Sequence, residues 1–358
     1  INPTPILTPA TSQFAICSGN AFTVSPSGTS GSTIVPVGTT YTWSVAANSN
    51  VTGQTNQLIA QNNISQTLTN LTNASETVIY TVTPLANGCS GNNFTLSVVV
   101  APKPIIANIS AAICSDDILQ VTPTNGSNIV PANTEYTWTI LTDNNSITGQ
   151  AAQNVAQSSI SQHLINTTSS VQTITYTVTP NAGSCAGSSF VLSVTVYPIP
   201  TIANKVTTVC SDYAFTVTPN SVGDIIPAST KYTWTILNDN NNLTGQSAIS
   251  VLQNAISQTL HNTTDINQTI VYTVTPSSGA AGSCVGLPFT TTVTVLPTPV
   301  IPALTNTICS GGTFTVTPSN AATTIVPAGT TYTWTIRTNN NNLSGQSAVS
   351  SAQNNISQ

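Results

Sequence analysis

Apolar and polar residues alternate with a period of two along much of the chain, as in Tyr41, Trp43 and Val45 set against Thr42 and Ser44. Val78, Tyr80 and Val82 against Thr81 and Thr83 repeat the pattern, and Phe94, Leu96, Val98 and Val100 extend it. Successive strand side chains point to opposite faces, so this alternation predicts half-buried β-strands. No segment carries a helical period. Asn-rich stretches such as residues 339–342 read as turns, because Asn tolerates left-handed backbone.

The strand pattern repeats. Trp43, Trp138, Trp234 and Trp334 each end a Tyr-Thr-Trp block, preceded by Val35-Pro36, Val130-Pro131, Ile226-Pro227 and Val326-Pro327. Gly-Gln follows at Gly53, Gly149, Gly245 and Gly345, and Ile-Ser-Gln at Ile64, Ile160, Ile256 and Ile356. Tyr-Thr-Val-Thr-Pro begins at Tyr80, Tyr176 and Tyr272. Such self-similarity marks tandem domains. Proline pairs (Pro3 and Pro5, Pro102 and Pro104, Pro198 and Pro200, Pro297 and Pro299) mark the joints. The division is repeat 1 at 1–101, repeat 2 at 102–197, repeat 3 at 198–296 and an incomplete repeat 4 at 297–358. About seven strands per unit, with a turn roughly every ten residues, predict an all-β chain of antiparallel immunoglobulin-like sandwiches. Pro-x-Pro joints are semi-rigid, which predicts an extended rod.

Composition narrows the function. Four Lys or Arg and nine Asp or Glu make up 4% of 358 residues. A nucleic-acid groove needs many basic residues, so nucleic acid is excluded as a partner. Acid-base catalysis needs gathered carboxylates, His or Lys, and the expectation is a non-enzyme without cofactor or metal. The 39% hydrophobic content is enough for a core. No run is long and apolar enough to span a bilayer, so this stretch is not expected to insert in a membrane. The first residues show no targeting signal, and the absence of Met points to a piece of a longer chain.

The seven cysteines sort as Cys17 with Cys89, Cys114 with Cys185, Cys210 with Cys284, and Cys309 alone, its partner expected beyond the fragment. Each pair encloses a similar loop, which predicts one disulfide per repeat and an oxidising compartment. Closing a loop of about 72 residues is worth roughly 4.4 kcal/mol in the chain-entropy account. Such bonds would also take most of each repeat out of the path of a pulling force.

Reactive side chains do not recur between repeats. His163 aligns with Thr67 and Thr259, and His261 with Ile165 and Thr69, so both histidines read as surface residues. Asp116, Asp117 and Asp212 follow Cys-Ser where repeats 1 and 4 have Gly19-Asn20 and Gly311-Gly312, the composition of a turn rather than a calcium loop. Lys103, Lys205 and Lys231 are not equivalent, which argues against a shared Lys-Asn cross-link. Asn63, Asn70 and Asn166 head Asn-x-Ser/Thr triplets, which this composition also produces by chance. Trp43, Trp138, Trp234 and Trp334, with Tyr80, Tyr176 and Tyr272, fall on the apolar faces and are expected in the core rather than on a sugar-stacking surface.

The Thr-Tyr-Thr-Trp block at 40–43, the Tyr-Thr-Val-Thr-Pro block at 80–84 and Ile-Cys-Ser-Gly at 16–19 resemble tandem PKD-like repeats of large Bacteroidota surface proteins. The resemblance implies immunoglobulin-like sandwiches, export by the type IX route, and a place in a cell-surface adhesin such as those of gliding motility. The Trp-Asp-Phe-Gly-Asp-Gly signature of ordinary PKD domains is missing, since Ser44 and Val45 follow Trp43. The resulting expectation is the stalk or filament of a secreted, extracellular bacterial adhesin. The alternative is a repeat module holding glycan or protein on its loops. Low charge weakens repulsion between neighbouring chains, so self-association into a fibre or bundle is a further expectation.

Overall fold

The computed structural model describes residues 3–7, 13–28, 33–279 and 282–358. All regular structure among them is strand. In repeat 1 the strands are β1 (Gln13–Cys17), β2 (Ala21–Val24), β3 (Thr40–Val45), β4 (Val51–Thr52), β5 (Gln57–Gln61), β6 (Ile64–Thr67), β7 (Thr69–Asn70), β8 (Glu76–Ala86), β9 (Cys89–Ser90) and β10 (Phe94–Ala101). The larger sheet runs β1-β10-β8-β3-β5, with β9 hairpinned onto β8, and the pairs β2-β6 and β4-β7 stand apart from it. Neighbours in the larger sheet are antiparallel except β1, which lies parallel to β10 with Cys17 opposite Ala101.

Alternation places one side of each strand inside. Along β8 the even positions Val78, Tyr80 and Val82 are fully buried, and Leu96, Val98 and Val100 do the same on β10. Phe22 of β2, Ile64 of β6 and Val51 of β4 close the core from the smaller pairs. Burying a large aliphatic or aromatic side chain contributes about 1.5–3 kcal/mol, so this face is the main stabilising element of the repeat.

Repeats 2 and 3 have the same larger sheet, in the orders Ile109–Cys114, Phe190–Tyr197, Gln172–Ala182, Thr134–Thr142, Gln153–Gln157 and Lys205–Cys210, Phe289–Leu296, Gln268–Ser277, Lys231–Asn238, Ile249–Gln253. Each has its own apolar core. Residues 297–358 hold only short strand pairs, Thr315–Val316 with Ile356–Ser357 and Tyr332–Trp334 with Val349–Gln353. The chain divides into two compact units, Ile1–Asn166 with Gln172–Val196 and Thr167–Val171 with Tyr197–Gln358.

Candidate functional site

Two polar knots recur inside the repeats. In the first, the Trp43 indole N–H donates to the Thr55 carbonyl at 3.1 Å, and Gln66 Nε2 donates to the same carbonyl at 2.7 Å. Gln66 Oε1 accepts from the Thr55 amide and from the Tyr80 hydroxyl at 2.9 Å. Trp234, Ser247, Gln258 and Tyr272 rebuild this clamp in repeat 3, where Tyr272 donates to Gln258 Oε1 at 2.7 Å. Trp138 and Trp334 donate likewise to the carbonyls of Ala151 and Ser347. Trp43, Trp138 and Trp234 are each only 4% exposed, so their ring faces are packed rather than offered to a sugar. In repeats 1 and 3 the Gln of Ile-Ser-Gln thus satisfies a buried tyrosine and the loop after the Trp strand, as buried polar groups require.

The second knot sits beside the first cysteine of each repeat. Asn70, Asn166 and Asn262 are buried, and Asn70 Nδ2 donates to the carbonyls of Ala74 and Val100 at 2.7 and 2.8 Å. Thr72 returns two bonds to Asn70 Oδ1. The serine after the cysteine completes the knot, as Ser18, Ser115 and Ser211 Oγ accept the amides of Asn70, Asn166 and Asn262. The Asn70 triplet is therefore a packed corner whose amide nitrogen is already bonded, not a glycan acceptor presented to solvent. Asn166 is used in the same way, with Nδ2 donating to the Val196 carbonyl, whereas Asn63 is exposed.

The cysteines correct the sequence expectation of one disulfide per repeat. Cys17 is bonded to Cys185 of the next repeat, with Cα atoms 5.4 Å apart. Cys114 and Cys284 are also disulfide-bonded, whereas Cys89, Cys210 and Cys309 are free. The predicted pairs Cys17–Cys89, Cys114–Cys185 and Cys210–Cys284 do not form.

The reason lies in the register. Cys17 ends β1 opposite Ala101, level with the Glu76 end of β8, because Val100 faces Glu76. Cys89 pairs with Ala86 at the other end of the same eleven-residue strand. Ten residue steps of strand span on the order of 30 Å, against the roughly 7 Å that a disulfide tolerates between Cα atoms.

Each repeat therefore has an exit end and an entrance end. At the exit end Cys17 lies beside Ala101, which leads into the next proline joint, and Ser18 N donates to the Ala101 carbonyl at 2.9 Å. At the entrance end the second cysteine stands just after a tight hairpin. Asn87 and Gly88, with φ of 50° and 82°, form that turn in repeat 1, as the mirror-image two-residue turn requires. Two residues beyond each second cysteine stands Gly91, Gly187 or Gly286, where a Cβ would collide with the carbonyl oxygen of Pro5, Pro104 or Pro200. In repeat 2 the incoming joint is thus pressed against the cysteine hairpin, which brings Cys185 to Cys17 at the exit end of repeat 1.

A model of the PKD-like domain matches residues 8–104, 111–200 and 207–299. The chain belongs to the PKD-like domain family. No curated protein matches it. Among solved structures, the chicken CNTN1 FN1–FN3 domains share 11% identity, with 72% of this chain and 88% of that chain covered and a TM-score of 0.28. The human desmocollin-1 ectodomain shares 12%, covering 73% and 55%, also at 0.28.

The remaining candidates serve the turns of the PKD-like repeats. Asp116 and Asp212 have φ of 71° and 68°, the left-handed conformation that Gly19 and Gly311 take at the same position. The two histidines, which occupy different alignment positions, both reach this turn: His163 Nε2 lies 2.8 Å from Asp116 Oδ1, and His261 Nδ1 lies 2.9 Å from Asp212 Oδ1. Their different alignment positions conceal this convergence, because the two side chains reach the same turn from strand positions two residues apart. Lys205 pairs with Asp224 and Lys231 with Asn254, so the lysines have unlike partners. Among the described residues no group of three His, Cys, Asp or Glu is placed to hold a metal ion, and no helix is long and apolar enough to cross a membrane.

Proposed function

We propose that this chain is a load-bearing, non-catalytic stalk or filament segment of an extracellular bacterial surface adhesin, of the gliding-motility type exported by the type IX route. The observation that carries the reading is the Cys17–Cys185 bond, which fastens the exit end of one PKD-like repeat to the entrance end of the next. A binding domain gains little from such a bond, but a tandem chain under tension gains a covalent bypass around its joint. Disulfides persist in oxidising compartments, which fits a surface location. Uncharged Thr, Ser and Asn hydrate the exterior, and the low charge permits neighbouring chains to lie together. The alternative of a glycan-binding repeat loses its aromatic platform, since three of the recurring tryptophans are packed inside.

Single-molecule stretching between the chain ends tests the reading. The bond short-circuits a sequence separation of 168 residues. At about 3.4 Å per residue, reductant should lengthen the fully extended chain by at least roughly 570 Å. Equal extension with and without reductant would overturn the load-bearing role.

A further inference from the structure

We infer that Cys89 is a vacant entrance-end half, and Cys210 and Cys309 vacant exit-end halves, of the same repeat-to-repeat disulfide, through which the chain joins further PKD-like repeats covalently. The inference rests on the geometry of the repeat ends and goes beyond the proposed stalk role. It assigns these thiols a specific partner, a cysteine of the opposite class on another PKD-like repeat.

The class of each cysteine is set by its surroundings. Cys89 pairs with Ala86 as Cys185 pairs with Ala182, each at the foot of a hairpin. Gly91 lies against the Pro5 carbonyl as Gly187 lies against that of Pro104. Cys210 ends its strand opposite Leu296 as Cys17 does opposite Ala101. The amide of the following serine, Ser211, donates to the Leu296 carbonyl at 2.8 Å, matching Ser18. Cys309 belongs to the exit class by its Ile-Cys-Ser-Gly sequence. Each class also contains members that are already bonded: Cys17 and Cys114 at exit ends, Cys185 and Cys284 at entrance ends. Cys210 and Cys309 are exposed and Cys89 is half-buried, so an incoming thiol can reach them.

The chemistry is thiol–disulfide exchange with a low-molecular-weight disulfide such as oxidised glutathione. One protein thiolate attacks the oxidant to form a mixed disulfide and release one glutathione thiolate. The second protein thiolate then displaces the other. Two protein thiols are oxidised, one oxidant disulfide is reduced, and the two protons pass to the leaving thiols.

Two variants of the 358-residue chain test the pairing rule, using a second copy as the source of the opposite class. Cys89→Ser keeps only exit-end thiols, and Cys210→Ser/Cys309→Ser keeps only the entrance-end thiol. In a glutathione redox buffer each alone should stay monomeric. Their mixture should form disulfide-linked heterodimers, with peptides joining Cys89 to Cys210 or Cys309 at least ten-fold more abundant than any like-with-like peptide. Equal dimerisation of either variant alone, or glutathione adducts without cross-links, would overturn the inference while leaving the stalk reading intact. Absence of the Cys17–Cys185 peptide from the same digest would overturn both.

Discussion

Repeats 2 and 3 solve one backbone problem in two ways. In repeat 2 the amide of Ala107, just after the proline joint, donates to Asn128 Oδ1 at 3.0 Å. In repeat 3 the equivalent amide of Ala203 donates to Asp224 Oδ1 at 2.9 Å, and Lys205 reaches Asp224 Oδ2 at 2.6 Å. Ile109 stands where Lys205 does. The acceptor is the requirement, and the charge is an option that, at the buried Asp224, obliges repeat 3 to supply a cation. With so few charged residues, one ion pair marks a local substitution rather than a principle shared by the repeats. The elements common to both, Trp, buried Asn and the cysteine ends, are the neutral ones.

The largest expected effect tests that shared part. Trp138→Ala and Trp234→Ala each remove a buried ring and its bond to a loop carbonyl, costing about 3–5 kcal/mol. Hydrogen exchange read on peptides of each repeat should show opening free energies lowered by similar amounts in the two. An unperturbed repeat 2 beside an opened repeat 3 would mean that the clamps are not equivalent.

The next effect should belong to repeat 3 alone. Asp224's side chain is 1% exposed, and Lys205→Ala leaves its charge buried without a cation. Breaking such a pair costs about 3–5 kcal/mol when fully buried, and about 2–4 kcal/mol is expected because Lys205 is partly solvated. Converting the pair to Ile and Asn, as in repeat 2, should restore most of the loss. Burial pushes the Asp224 carboxyl up, but the Lys205 bond, the Ala203 amide and the Lys205 charge outweigh it and hold the pKa below the ordinary carboxylate value. The stabilisation is therefore complete above the unfolded pKa of about 3.9 and is lost as pH falls through the folded value. Acid should loosen repeat 3 before repeat 2 in the same exchange experiment. The reverse order would remove the pair from the account.

The alternation at Tyr41, Trp43 and Tyr80 made the strands and core legible in the sequence, because a period of two with one apolar face admits few other structures. The cysteine pairing was not legible. In a tandem array every spacing recurs, so the even loops from Cys17 to Cys89 and from Cys114 to Cys185 reported the repeat and not the bond. The deciding fact, β1 parallel to β10 with Cys17 carried to the exit end, is a matter of register between distant strands. A signal was present in the glycine two residues beyond each second cysteine and in Asn87-Gly88, which together mark a hairpin held against a proline joint. The buried Asn70 corner was also concealed, since its triplet has the same letters as a glycan acceptor. Side-chain reach hid the convergence of His163 and His261 on one turn.

The smallest effect separates the two repeats at a single hydroxyl. Tyr272 donates to Gln258, whereas the buried hydroxyl of Tyr176 has no hydrogen-bond partner among the described residues. Removing a satisfied hydroxyl forfeits a bond, while removing an unsatisfied one relieves a desolvated group. Tyr272→Phe should cost about 1 kcal/mol in repeat 3, and Tyr176→Phe should be neutral or stabilise repeat 2 by up to about 1 kcal/mol, again by peptide-resolved exchange. The alkaline side sharpens the contrast. Burial pushes the Tyr176 phenol up to about 12, so between about pH 10 and that value the unfolded chain ionises while the folded repeat does not. Stability should fall across this window and level off above it. Denaturant unfolding followed by circular dichroism should show a shallower alkaline loss in Tyr176→Phe than in the unmodified chain. An unchanged slope would place the alkaline sensitivity on other groups, Tyr80 and Tyr272 first, whose phenols burial also raises.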